Sequence, residues 1–313
     1  MFKTLYNQAK LLFRIDPVGP LLIKTGQESF DPTRPAMEFV RTKTLYGEVP
    51  YIPGSSLKGV VRSHAERLLR TLQVNYSCDI TEKGCPPEEG DHYRNHCYAC
   101  RTFGSTKIAS RTRITDAYPW KVGASQEEVE EIVTKIDERI PIELRTNVKI
   151  DRRKGTAAGG GPFECEVVTG GSFYGELTIR NYQLWQIALL ALVLRDINDG
   201  YQKLGAGKSR GFGWVRVSVQ EFEFQQWGVL ANGGGELRGI GWPQNGIVER
   251  YDLIGSDSIV TPDSVRTDPE SSKAGIVDVL KPANEAERNW QELSDQFVAS
   301  ANWQSLCDRS KKQ

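Results

Sequence analysis

Four of the chain's six cysteines fall within 23 residues, spaced Cys78-x6-Cys85-x11-Cys97-x2-Cys100. No other feature limits the local fold as strongly. Tetrahedral zinc takes four soft ligands, and a Cys-x2-Cys pair supplies two of them from one tight turn. His92 and His96 stand in the same stretch and could replace one thiolate. Four protein ligands leave no open coordination position, and no evident motif supplies a nucleophile or general base beside them. The spacing therefore predicts a structural zinc that clips an insertion, about residues 76–102, unable to fold alone. Clustered cysteines favour metal over disulfides in a reducing compartment. The start, Met1-Phe2-Lys3-Thr4, lacks a signal-peptide pattern, and the longest apolar run, Ile187 to Leu194, falls far short of the ~20 residues that span a bilayer. A cytoplasmic protein without a membrane partner is expected.

The formal net charge is zero, which by itself argues against nucleic acid. The distribution reverses that argument. Residues 221–313 hold 15 acids and 9 bases, a net −6, so the first 220 residues carry +6. Within them Arg101, Lys107, Arg111 and Arg113 follow one another without an acid, as do Lys203, Lys208, Arg210 and Arg216. Acids collect instead at Glu127, Glu128, Glu130, Glu131, Asp137 and Glu138. Separate basic loops on a neutral protein suit a phosphate track, although an ordinary solvated surface has the same composition.

The apolar periodicity gives the order of elements. Ala9 to Pro17 reads as a strand. Tyr51-Ile52-Pro53-Gly54 is a turn, after which Ser55 or Ser56 can cap a helix to about Gln73, with Leu57, Val60, Val61, Ala65, Leu68, Leu69 and Leu72 at the spacing of one buried face. A strand near Ile108 to Ala117 and an acidic helix near Gln126 to Ile136 follow. Arg145 to Asp151 and Phe163 to Val168 alternate on either side of Lys154-Gly155-Thr156-Ala157-Ala158-Gly159-Gly160-Gly161. That pattern predicts a protruding hairpin, about residues 144–172, with an unpacked mobile tip. Ser172 to Arg180 is a strand, Asn181 is read as the cap of a helix to about Asn198, and Trp214 to Phe224 is a last strand. Strand, helix, strands, helix, strand is an α+β order of the split βαβ, ferredoxin-like or RNA-recognition-motif-like kind. This domain is expected over 1–227. A C-terminal extension, 228–313, ends in a helix near Ala283 to Cys307 with Trp290, Leu293, Phe297, Ala301 and Leu306 on one face.

Two turns invite a ligand. Gly207-Lys208-Ser209 ends like a Walker A motif, but the glycine required five residues earlier is Gln202, and the segment runs from helix to strand, the reverse of a phosphate loop. A basic loop that presses its backbone, Lys208, Ser209 and Arg210 on a nucleic-acid strand fits better. The Pro53-Gly54 turn aims a helix N-terminus outward, with Ser55, Ser56, Lys58 and Arg62 around it. A turn that merely starts a core helix would have the same sequence.

Tyr51-Ile52-Pro53-Gly54-Ser55-Ser56-Leu57-Lys58-Gly59-Val60-Val61-Arg62 resembles the signature of the RAMP superfamily, and more narrowly that of the repeated backbone subunits of type III CRISPR effector complexes. Three further segments are similar in the same order. They are Phe103-Gly104-Ser105 with Ala109-Ser110-Arg111 and Asp116-Ala117, then Arg145 to Arg152 with its glycine-rich sequel, then Gly205 to Gly213. The resemblance spans about residues 9–224 and includes the cysteines. It implies a modified RNA-recognition-motif fold that polymerises along a guide RNA, with other RAMP-type subunits and a large subunit as partners. The basic loops would hold the guide backbone, adding Arg111 and Arg152 to the candidate contacts, and the hairpin would act as a thumb in the guide–target duplex. In several relatives an Asp in the loop before Pro-Gly-Ser-Ser cuts target RNA with a divalent metal such as Mg²⁺. Ungapped alignment back from Pro53 puts Glu38 there, with Asp31 as the substitute if the loop is longer. A guide-binding subunit without cleavage is the leading expectation. A metal-dependent endoribonuclease subunit comes next, and a zinc-binding scaffold without RNA comes last.

Overall fold

The computed structural model describes residues 3–24, 35–79, 85, 93–242, 246–268, 277–301 and 303. In chain order the strands are β1 (Asn7–Pro17), β2 (Arg41–Lys43), β3 (Glu48–Pro50), β4 (Thr112–Ile114), β5 (Ile142–Ile150), β6 (Ala157–Val168), β7 (Phe173–Arg180), β8 (Val215–Trp227), β9 (Glu236–Arg238), β10 (Ser258–Val260), β11 (Val265–Thr267) and β12 (Val277–Pro282). The helices are α1 (Gly54–Leu72), α2 (Tyr98–Phe103), α3 (Gln126–Thr134), α4 (Ile136–Arg139), α5 (Leu184–Asn198), α6 (Gly246–Tyr251) and α7 (Ala286–Ser300). Among these residues no helix is long and apolar enough to cross a membrane.

Six strands form one antiparallel sheet in the order β11-β12-β8-β1-β7-β4. Ala9, Leu11, Phe13 and Ile15 alternate onto the buried face of central β1, as a strand period of two requires. They meet Leu177 and Ile179 of β7, Val217, Val219, Phe222 and Phe224 of β8, and the apolar faces of α1 and α5 in one core. Described residues from the segment after 228, among them Leu237, Val265, Leu280 and Leu293, contribute to that core. β12 pairs with β8 from Val277↔Trp227 to Leu280↔Phe224. Trp290 and Phe297 of α7 lie with ring centroids 5.8 Å from Phe222 and Phe224 respectively. Trp290, Leu293, Phe297 and Ala301 are buried, as the helical spacing predicts, whereas Leu306 lies outside the described residues.

Local chemistry moves several expected boundaries. Neither Ser55 nor Ser56 caps α1. The helix starts at Gly54, and the Gly54 N–H donates instead to Asp116 Oδ1 at 2.7 Å. Asn181 is not the cap of α5 either. Gln183 holds that place, its N–H donating to Gln186 Oε1 at 3.0 Å. Asn181 sits two residues earlier with φ 50° and ties the N-terminal segment down, accepting from the Tyr6 N–H and donating to the Thr4 carbonyl, both at 2.8 Å. Ser125 and Glu128 form a reciprocal capping box on α3, and the acidic stretch breaks into α3 and α4.

β5 and β6 make a two-stranded antiparallel ribbon from Ile142↔Val168 to Ile150↔Ala157. Its turn is Asp151 to Thr156, where Asp151 Oδ1 accepts from the N–H groups of Arg153 and Lys154 at 2.8 and 3.2 Å. Of the glycines expected in an unpacked tip, Gly155 lies in this turn with φ 67°, whereas Gly159 to Gly161 lie in β6. Val148 pairs with Pro162 and Ile150 with Ala157, so Gly159 to Gly161 fall in a bulge, where residues without side chains cost least.

Candidate RNA-binding and metal site

The sulfurs of Cys78, Cys85, Cys97 and Cys100 lie within 4.8 Å of one another. Zinc–sulfur bonds of ~2.3 Å in a tetrahedron require sulfur separations of ~3.8 Å. Cys78 and Cys100 are 3.7 Å apart, so the group fits zinc. Short-range chain geometry builds it. Cys97 caps α2, its sulfur accepting from the Cys100 N–H at 3.4 Å, while the Cys97 N–H donates to Cys85 Sγ at 3.3 Å. Helix α1 backs the cluster, since Arg62 donates to Cys100 Sγ at 3.6 Å and Arg70 to the Cys78 carbonyl at 2.8 Å. Hydrogen bonds from Cys100 and Cys85 hold the Cys97 thiol down to about 2, whereas burial and the Cys97 charge push Cys78 up to about 12. Sulfurs packed this closely ionise together only around a cation. His96 is buried outside the four-sulfur group, and His92 lies outside the described residues.

The basic candidates separate into two sets. Lys208, Ser209 and Arg210 form an exposed single turn between Gly207 and Gly211, whose φ of 73° and 87° lie in the left-handed region that favours glycine. Burial and the neighbouring Arg67 charge lower the Lys208 ammonium, a cost that an arriving phosphate would relieve. Arg152 is exposed in the ribbon turn and Ser55 on the first turn of α1, with Ser56 and Lys58 half-buried beside it. The Lys58 ammonium donates to Ser110 Oγ at 2.9 Å. Arg111 corrects the expectation. It is 3% exposed and donates to Gln186 Oε1 at 3.2 Å, with its guanidinium 4.3 Å from the Tyr93 ring centroid. Its guanidinium faces protein groups of the interior. Arg62 is likewise committed to protein groups, at 2.8 Å to Glu66 and 3.0 Å to the Gly104 carbonyl.

The base of the β5–β6 ribbon gathers the remaining segments. Leu22, Cys165, Val167 and Phe212 form a small buried cluster, with Met37 and Ala206 against it. It joins the segment leading to Glu38, the ribbon and the glycine loop. Met37 bridges to Cys165, the Phe39 N–H donates to Glu166 Oε2 at 2.9 Å, and Arg41 pairs with Glu166 at 2.6 Å. Arg210 lies 5.7 Å from the Phe163 ring centroid on β6. Glu38 is thus fixed, half-buried, at the root of the ribbon, and Asp31 lies outside the described residues.

Asp116 does work that its place in the motif does not signal. Asp116-Ala117 locks the Pro53 turn. Ile52 and Ala117 exchange backbone hydrogen bonds at 2.9 and 2.8 Å, and Asp116 takes the first helical N–H. A Cβ on Gly54 would lie 2.4 Å from the Ile114 carbonyl oxygen. Gly54→Ala is therefore expected to destabilise the protein by about 1–3 kcal/mol through forced backbone movement, read as a lower urea midpoint. An unchanged midpoint would mean that the turn has room to shift.

The sequence model of the RAMP superfamily matches residues 14–216. A curated relative, the CRISPR system Cms endoribonuclease Csm3 of Methanocaldococcus jannaschii, is 30% identical over 174 residues, which cover 53% of this chain and 61% of that protein. The chain therefore spans about three fifths of that relative's length. The matched stretch runs from β1 into β8 and takes in the cysteine cluster, the Pro53 turn, the ribbon and the glycine loop, so the chain belongs to the RAMP superfamily.

Proposed function

We propose that this chain is a guide-RNA-binding subunit of a type III CRISPR effector complex, with one structural zinc. The observation that carries the reading is the convergence at the ribbon base. Three segments far apart in sequence, ending in Glu38, Arg152 and Lys208-Ser209-Arg210, share one small apolar cluster. One shared root would therefore set a projecting two-stranded ribbon and an exposed basic turn against the same nucleic acid. The order β8-β1-β7-β4, with α1 and α5 as the two crossovers, supports the ferredoxin-like, RNA-recognition-motif-like reading of the first 227 residues, and the exposed ribbon supports its role as a thumb. The basic turn suits a guide backbone because phosphates are contacted without regard to base. Partners of this reading are the guide, a target RNA, other RAMP-type subunits and the large subunit.

Cleavage of target RNA is the second reading, favoured by Glu38 at the root of the ribbon. A carboxylate there would be a ligand for a divalent cation such as Mg²⁺, and such a cation would supply charge stabilisation at the leaving oxygen of an RNA strand. The Glu side chain extends one carbon–carbon bond farther than Asp, ~1.5 Å, and a misplacement of about 1 Å can cost ~100-fold. The assembled complex is expected to cut a guide-matched RNA slowly or not at all in Mg²⁺, and Glu38→Asp to raise the rate by up to about 100-fold. A fast wild-type cut that survives Glu38→Ala and is lost in Asp31→Ala would transfer the role to Asp31.

A further inference from the structure

Three aromatic rings stack in a ladder beside the first turn of α1. Tyr51 and Tyr118 have ring centroids 5.8 Å apart and planes 15° apart, and Tyr118 and Trp120 follow at 4.8 Å and 9°. All three residues are half-exposed. The other near-parallel pair among the described residues, Phe39 and Phe173, is wholly buried in the core. A half-exposed parallel ladder is unlike core packing, which here uses mainly tilted and edge-on pairs. It presents flat π faces, and a flat ring is the ligand that continues such a stack.

The scaffold beneath is rigid. The Ile52–Ala117 bridge fixes Tyr51 against Tyr118 from one side. On the other side Tyr118 and Tyr174 exchange backbone hydrogen bonds at 2.9 and 2.7 Å. The Tyr118 hydroxyl reaches Asp116 Oδ2 at 3.5 Å, while Oδ1 holds the α1 amide. Rings held in place before a ligand arrives lose little freedom on binding. Asp116 is exposed and would repel a phosphate directly above it. Lys121, exposed and next to Trp120, supplies the opposite charge on the far end of the ladder. The ladder also adjoins the root of the ribbon, since the Tyr51 N–H donates to the Val40 carbonyl at 3.3 Å, two residues beyond Glu38.

We propose that Tyr51, Tyr118 and Trp120 form a stacking platform for one unpaired nucleobase of a single-stranded RNA, with Lys121 placed for the adjoining phosphate. The proposal rests on the RNA-binding reading and extends it to a site that reads a base face. The test uses the full chain freed of co-purifying nucleic acid. Its probes are a fluorescently labelled oligouridine and the same oligomer carrying 5-iodouridine. Trp120→Ala should weaken binding by about 10-fold or more, with the slope against log salt unchanged, and Trp120→Phe should restore most of the loss. Irradiation of the wild type should cross-link iodouridine to one of the three rings, located by mass spectrometry. Wild-type binding that Trp120→Ala leaves intact, with no cross-link to any of the three, would overturn the platform alone and point to a protein neighbour on the ladder. A wild type that binds no oligouridine would overturn the RNA reading with it. If Trp120→Ala does not fold, the wild-type cross-link decides.

Discussion

A chain carrying serine at both Cys97 and Cys100 is expected to lose one equivalent of zinc and most of the order of its insertion. The two residues supply half of the four-sulfur group, and Cys97 also caps α2 and orients Cys85 through its amide. Zinc bound to small structural sites supplies on the order of 10 kcal/mol of coupled folding free energy, comparable to the whole stability of a typical domain. The loss should spread beyond the insertion, because Arg62 and Arg70 of α1 lean on the cluster. Arg101 of α2 also reaches Asp252 in the C-terminal segment at 3.2 Å. Elemental analysis should read about one zinc per chain in the wild type and none in the double variant, and thermal unfolding should begin markedly earlier. Cys165→Ala serves as the control. Its thiol is buried against Asn147 and the Arg145 carbonyl, apart from the group, so its metal content should not change. A wild type without zinc, or a double variant that melts with it, would remove the structural role from the cluster.

Much of this architecture was legible because the signals were periodic or chemically singular. The alternation in Ala9 to Pro17 and the helical spacing from Leu57 to Leu72 each placed an apolar face; β1 buries its face, and α1 buries Leu57, Val61, Ala65 and Leu69 but leaves Val60 and Leu68 half-buried and Leu72, in its last turn, exposed. Four cysteines with a Cys-x2-Cys pair left little choice of chemistry. The errors came where a partner distant in sequence took a role that a local residue could have filled. Ser55 is a good cap by type, yet Asp116, 62 residues from Gly54, is the acceptor. Asn181 is an equally good cap, and it serves the N-terminal segment 175 residues away. Charge patterning failed for the same reason. Arg111 stands in an acid-free basic run, which reads as surface, but Tyr93, Gln186 and the Asn181 carbonyl hold it inside. Burial of an arginine depends on acceptors supplied by other elements, and a linear run of bases does not reveal them. The aromatic ladder was invisible for a related reason, since Tyr51 and Tyr118 meet only through the Ile52–Ala117 bridge.

Reversing both charges of the glycine loop, Lys208→Glu with Arg210→Glu, should cost the full chain about 100-fold in affinity for single-stranded RNA. A charge-assisted contact to phosphate is worth ~1.5 kcal/mol or more, and two such contacts multiply to that factor. Both side chains are exposed, and the left-handed glycines on either side fix the backbone, so the substitutions should leave the fold intact. The loss should be nearly equal for oligomers of different base composition, because phosphates carry no sequence information. The plot of log affinity against log salt should flatten by about 1.4, at ~0.7 per phosphate contact on a single strand. That slope separates direct contact from indirect damage, since a loop that merely supported the site would lower affinity without releasing fewer counterions. Arg62 and Arg111 are omitted from the variant because their guanidinium groups are committed to protein acceptors, and changing them would confuse stability with binding. An unaltered slope with weakened binding would assign the loop a supporting role. An unaltered affinity would move the RNA to another face of the molecule.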